Sequence, residues 1–133
     1  MPKKILVVDD EPNIVRVIAE RLHAHGYEVI TASDGLYAVI KAHNDKPDLI
    51  ILDVRMPAGG GTSVFENLRM TSDTKMIPVI FITAYPDDEL RRQVMEMGAE
   101  DFVAKPFDAD DLLVKVRKAL KQDSSSSSNT NSA

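Results

Sequence analysis

Three short, unbroken apolar runs constrain this chain more than anything else in it. They are Ile5-Leu6-Val7-Val8, Leu49-Ile50-Ile51-Leu52 and Pro78-Val79-Ile80-Phe81-Ile82. Each is too short for a buried helix and lacks the alternation of a strand with one wet face. Such runs read as strands covered on both sides, which is the situation in a parallel sheet flanked by helices. Glu28-Val29-Ile30-Thr31-Ala32 and Asp101-Phe102-Val103-Ala104 are weaker strand segments. Between the runs, apolar residues recur at helical spacing. Ile14, Val17, Ile18 and Leu22 follow Pro12, where a first-turn proline costs nothing. Leu36, Val39 and Ile40 mark a second helix, and Val64, Phe65 and Leu68 a third. Leu90, Val94 and Met97 mark a fourth, closed by Gly98. Leu112, Leu113, Val116 and Leu120 mark a fifth, with Asp108 as its N-cap. Strand and helix thus alternate five times. That order predicts an α/β domain with a parallel sheet, right-handed crossovers and helices on both faces.

The chemistry open to such a domain is bounded by what the chain lacks. Cysteine is absent, which excludes disulfides, thiolate catalysis and zinc–thiolate sites. No apolar stretch is long enough to span a bilayer or to serve as a signal peptide, so no membrane role is expected and the cytoplasm is the default compartment. A formal charge of −5 argues against direct nucleic-acid binding by this domain. Residues 124–128 are all serine and Asn129-Thr130-Asn131-Ser132-Ala133 follows. With nothing to bury, residues 122–133 read as a flexible tail or a truncated linker, leaving 1–121 as the domain.

In an open α/β sheet, ligands bind beyond the carboxyl ends of the strands. Asp9, Asp10 and Glu11 follow the first strand, Asp53 the third, Thr83 the fourth and Lys105 the fifth. Clustered carboxylates repel one another unless a cation neutralises them. Oxygen-only ligands favour a hard ion such as magnesium. A carboxylate can also act as nucleophile towards a phosphoryl group, whose equatorial oxygens need positive and hydrogen-bonding partners. Taken singly, each residue has a plainer reading. Asp9 and Asp10 would cap the first helix, Asp53 would be a loop acid, Thr83 a strand end and Lys105 a solvated lysine. Matched chemistry at four separate strand ends outweighs those separate readings.

At these residues the chain resembles the receiver domains of two-component response regulators. The matching segments are Leu6-Val7-Val8-Asp9-Asp10-Glu11, Leu52-Asp53-Val54-Arg55-Met56-Pro57, Thr83-Ala84 and Lys105-Pro106-Phe107. The resemblance runs over roughly residues 3–121. It implies a doubly wound, flavodoxin-like sheet in strand order 2-1-3-4-5, the order by which receivers are already known. It also implies phosphorylation of Asp53 by a histidine kinase or phosphotransfer protein. Magnesium, or manganese in its place, would be bound by Asp10, Asp53 and the Arg55 backbone carbonyl, with Asp9 acting through water. Lys105 would pair with the phosphoryl oxygens across a cis Lys105-Pro106 junction. Thr83 and Phe102 would form the switch, and Arg55 and Tyr85 would tune phosphoryl lifetime, Tyr85 by shielding the acyl phosphate. The surface of the fourth helix, fifth strand and fifth helix would carry a phosphorylation-dependent homodimer or a downstream target. On this reading the chain is a signalling switch that catalyses only its own phosphoryl transfer and slow autodephosphorylation.

Gly59-Gly60-Gly61 departs from the usual pattern of an acid and one glycine, and predicts a looser entry to the third helix. His23, His25 and His43 lack metal-ligand spacing. Other readings remain. A magnesium-dependent aspartyl phosphatase wants a second Asp where Arg55 stands. A flavin carrier wants a phosphate loop where Asp9-Asp10-Glu11-Pro12 would repel one. A receiver-like docking module independent of phosphorylation would not need the full set of acids.

Overall fold

The computed structural model describes residues 2–55, 60–84 and 88–121. Its elements run β1 (Lys4–Val8), α1 (Pro12–Ala24), β2 (Glu28–Ala32), α2 (Gly35–Asp45), β3 (Leu49–Asp53), α3 (Gly61–Arg69), β4 (Val79–Thr83), α4 (Asp88–Glu96), β5 (Asp101–Ala104) and α5 (Ala109–Ala119). All neighbouring strands are parallel, in the order β2-β1-β3-β4-β5. The tail expected at 122–133 lies outside the described residues.

The apolar runs are continuous because their strands are buried on both faces, with alternate side chains feeding two cores. Leu6, Val8, Ile50, Leu52, Val79 and Phe81 pack with Ala38, Val64, Phe65, Leu68 and Val94, so α2, α3 and α4 lie on this side. Ile5, Val7, Leu49, Ile51, Ile80 and Ile82 pack with Ile18, Leu22, Leu112, Leu113 and Val116, so α1 and α5 lie on the other. The edge strand β2 is the exception, with Val29 and Ile30 only half-buried.

Local signals place the helices. Pro12 opens α1, and the Asp108 carboxylate accepts the Asp110 N–H at 2.8 Å to cap α5. Asp34 caps α2 through the Tyr37 N–H at 2.8 Å. Gly98, at φ +102°, turns the chain out of α4 in a conformation that side chains disfavour. Leu36, Ile40 and Val17 are exposed despite their helical spacing. Each of those helices has one covered face, and an apolar stripe wider than that face spills past its edge. Among the described residues no helix is long and apolar enough to cross a membrane.

Candidate functional site

The parallel register brings the predicted residues to one edge. Val8 of β1 pairs with Leu52 of β3, which sets Asp9 beside Asp53. Thr83 is the last residue of β4 and pairs with Ala104, which sets Lys105 on the same rim. Asp9, Asp10 and Asp53 each offer a carboxylate oxygen, and these oxygens lie within 4.8 Å of one another. Asp9, Asp53 and Thr83 are buried, whereas Asp10 is exposed. Asp10, Glu11, Asp53, Arg55, Ala84 and Lys105 line an open cleft of about 320 Å³.

One ammonium serves this cluster. Lys105 Nζ stands 2.8 Å from Asp9 Oδ2, 2.9 Å from Glu11 Oε1 and 3.6 Å from Asp53 Oδ2. The Asp9 contact is the shortest of the three and joins two buried side chains. The other Asp9 oxygen accepts the Glu11 N–H at 2.9 Å, and Asp53 Oδ1 accepts the Arg55 N–H at 3.2 Å. The helix-capping reading of the acid pair therefore fails. Glu11 is the N-cap of α1 and has no side-chain capping bond.

Burial pushes the Asp53 carboxyl up to about 6, and the charges of Asp9 and, less, Asp10 add to that. The Arg55 N–H and the Lys105 charge oppose the rise without cancelling it. Burial also works against the Lys105 charge, but Asp9, Glu11 and Asp53 outweigh it and hold the ammonium above the ordinary lysine range. Three carboxylates sharing one ammonium leave net negative charge in a half-closed cleft. With three carboxylate oxygens gathered within 4.8 Å and only oxygen donors among them, the residues fit a hard divalent cation.

The switch candidates share one face of the sheet. Phe102 pairs with Phe81, two residues before Thr83. Phe102 is already buried, packed in the core that contains Val94 and Ala99, with the Arg91 guanidinium 6.0 Å above its ring. The Lys105-Pro106 bond is cis, as expected. Tyr85 lies outside the described residues, as do Met56 and Pro57.

Two features were not legible as such in the sequence. The first lies at the end of the glycine run. Gly60 N-caps α3, and Gly61 is buried as its first residue, donating its N–H to Val54 O at 2.8 Å. A Cβ on Gly61 would collide with the Asp53 carbonyl oxygen and stand 2.9 Å from Val54 Cα. Glycine at position 61 permits this close approach; Gly59 and the three residues before it, on which the expected looseness falls, lie outside the described residues. The second is the reach of Glu11 across the cleft to Lys105, which joins the loop after β1 to the loop after β5. No local pattern signals a contact between residues so far apart in sequence.

On the surface of α4, β5 and α5, some of the charges pair within the molecule. Arg92 bonds Glu89 at 2.6 Å and Glu96 at 3.1 Å, and Lys115 lies 3.3 Å from Asp101. His43, at the end of α2, sits 3.4 Å from Asp73 and apart from the acidic cleft.

Comparison with known proteins agrees with this geometry. Residues 5–117 match the family described as the response regulator receiver domain. The alkaline phosphatase synthesis transcriptional regulatory protein PhoP of Bacillus subtilis (strain 168) is 42% identical over 122 residues, which are 92% of this chain and 50% of that protein. The chain thus spans about half the length of this curated relative. The chemotaxis response regulator CheY4 of Vibrio cholerae is 34% identical, with a TM-score of 0.84 over 90% of this chain and 99% of the other. The receiver domain of a sensor histidine kinase from Pseudomonas aeruginosa is 30% identical, with a TM-score of 0.83 over 91% of this chain and 99% of the other. That structure holds a magnesium ion in its active-site cleft.

Proposed function

This chain belongs to the response regulator receiver family, and on that premise we propose that Asp53 is its phosphoacceptor, with Lys105 and Thr83 completing the reacting site. The observation that carries the reading is the placement of Asp53: a buried strand-end carboxylate beside two others, with an ammonium 3.6 Å away. A carboxylate oxygen of Asp53 attacks phosphorus in line. The new O–P bond forms as the P–N bond to a partner's phosphohistidine breaks, and the bonding pair returns to the imidazole nitrogen. Lys105 Nζ moves from its present carboxylate partners to the phosphoryl oxygens, and the Thr83 hydroxyl donates to another of them. Asp10, Asp53 and the Arg55 carbonyl would hold magnesium, or manganese, with Asp9 acting through water. The ion supplies positive charge against the equatorial oxygens. Water later cleaves the acyl phosphate, and Arg55 and Tyr85 set how fast.

Phosphorylation adds about −1.5 to −2 charges and three strong acceptors. Thr83 drawn towards them alters the packing beside Phe102, and with it the surface of α4, β5 and α5. A phosphoryl group shifts that equilibrium only by its different affinity for the two states. This surface would serve a homodimer or a downstream target. A histidine kinase or phosphotransfer protein would be the donor, in the cytoplasm, and residues 122–133 would be a tail or linker outside the receiver. The test is incubation with magnesium and acetyl phosphate, followed by intact mass. A phosphoryl adduct on the natural chain and none on Asp53→Asn is the expected result; an adduct on both proteins rules out Asp53.

A further inference from the structure

The mouth of the acidic cleft is spanned by a contact that the phosphoryl-transfer scheme does not use. Glu11 leaves the N-cap of α1 with its side chain uncommitted to the helix, and its Oε1 accepts from Lys105 Nζ at 2.9 Å. The same ammonium is 3.6 Å from Asp53, so the lysine is held closer to Glu11 than to the carboxylate it would serve. The Glu11 side chain is 59% exposed, whereas that of Lys105 is 8% exposed. The pair is therefore hinged at a wet end and anchored at a dry one.

We propose that Glu11 is a clasp on Lys105, a positioning residue that competes with the incoming phosphoryl group for the ammonium and so sets the affinity of the site for that group. The inference rests on the assignment of Asp53 and Lys105 made above. Lys105 has no spare charge: Asp9, Glu11 and Asp53 already share it. A phosphoryl group on Asp53 brings further acceptors and must draw the ammonium from one of its present partners. The Asp9 ion pair is buried, whereas the Glu11 carboxylate is 59% exposed and can give up its contact to bulk water. Glu11 is thus the partner that yields at least cost. Its release also unties the loop after β1 from the loop after β5 on phosphorylation.

The test is the affinity of the whole chain for beryllofluoride, a phosphoryl mimic, at saturating magnesium, read by fluorine NMR or calorimetry. Glu11→Gln keeps the shape and loses the charge. Glu11→Asp keeps the charge but, one methylene shorter, loses the contact. Both variants are expected to bind the mimic more tightly than the natural chain, by roughly two- to five-fold, the range that an ion pair open to solvent at one end can supply. Tighter binding by Glu11→Gln alone would show that the carboxylate acts through its field and would overturn the clasp. Unchanged or weaker binding in Glu11→Gln would overturn it equally. If none of the three proteins binds the mimic, the phosphoacceptor assignment fails and the clasp falls with it. An unchanged urea midpoint in both variants separates these outcomes from loss of fold, since an exposed side chain without a capping bond contributes little to stability.

Discussion

Gly61 lies against the backbone of Asp53 so closely that a Cβ there would collide with the Asp53 carbonyl oxygen. The residue that opens α3 therefore helps to fix the end of β3, and with it the direction of the carboxylate on the rim. Gly61→Ala is expected to force these segments apart and to destabilise the chain by about 1–3 kcal/mol, the usual cost of overpacking. It should also slow phosphorylation by acetyl phosphate. Urea unfolding and intact-mass time courses check both effects; an unaltered midpoint would mean that the contact relaxes freely.

Asp53 titrates at about 6 against an ordinary 3.8. An acid whose folded pKa is raised holds its proton more tightly in the native state than in the unfolded one. Its contribution to stability thus falls as pH rises from the ordinary value through the folded one. Without metal, Asp53→Asn should stabilise the fold above about pH 7 by up to roughly 3 kcal/mol, and lose that advantage below about pH 4. Urea midpoints in EDTA at the two extremes decide it. The prediction fails if the substitution brings no gain at the higher pH.

Lys105 is the only cation within 4 Å of Asp9 or Asp53 among the described residues. Lys105→Met leaves a buried, uncompensated carboxylate pair and should cost about 3 kcal/mol near neutral pH. Excess magnesium should recover part of the loss, because a bound cation neutralises the same oxygens. In the natural chain the raised lysine adds stability that is fully present below its unfolded value, near pH 10.4, and fades as pH rises further. Thermal melts with and without magnesium measure the recovery, and equal losses in both would exclude it.

The elements α4 and α5 carry exposed Met95 and Val114, and Arg92 and Lys115 nearby in the sequence are already paired within the molecule. Exposed ion pairs contribute about 0–1 kcal/mol each, so self-association would rest on the apolar residues. Sedimentation should show a larger species with beryllofluoride than without it, reversed by Val114→Lys. A chain that stays monomeric under both conditions would remove the homodimer.

Tyr85 stands two residues beyond Thr83 in the sequence, and the proposed function gives it a share in setting the phosphoryl lifetime. Tyr85→Ala is expected to shorten the phosphoryl half-life several-fold. The decay of the mass adduct measures it, and an unchanged half-life would remove the shielding role.

The sequence alone determined the sheet and its contents. Unbroken apolar runs such as Leu49-Ile50-Ile51-Leu52 have one physical solution, burial on both faces, and strand–helix alternation then requires parallel strands. Asp9, Asp10, Asp53, Thr83 and Lys105 were legible because each ends or closely follows a predicted strand, and a parallel sheet puts all those ends on one edge. The tertiary structure decided what those residues do to one another. Sharing of a single ammonium among Asp9, Glu11 and Asp53, the rise of Asp53 to about 6, and the pressure of Gly61 on β3 all depend on ångström-scale distances. Coulombic attraction, desolvation and steric contact vary steeply over such distances, and residues as far apart in the chain as Glu11 and Lys105 carry no local pattern that encodes them.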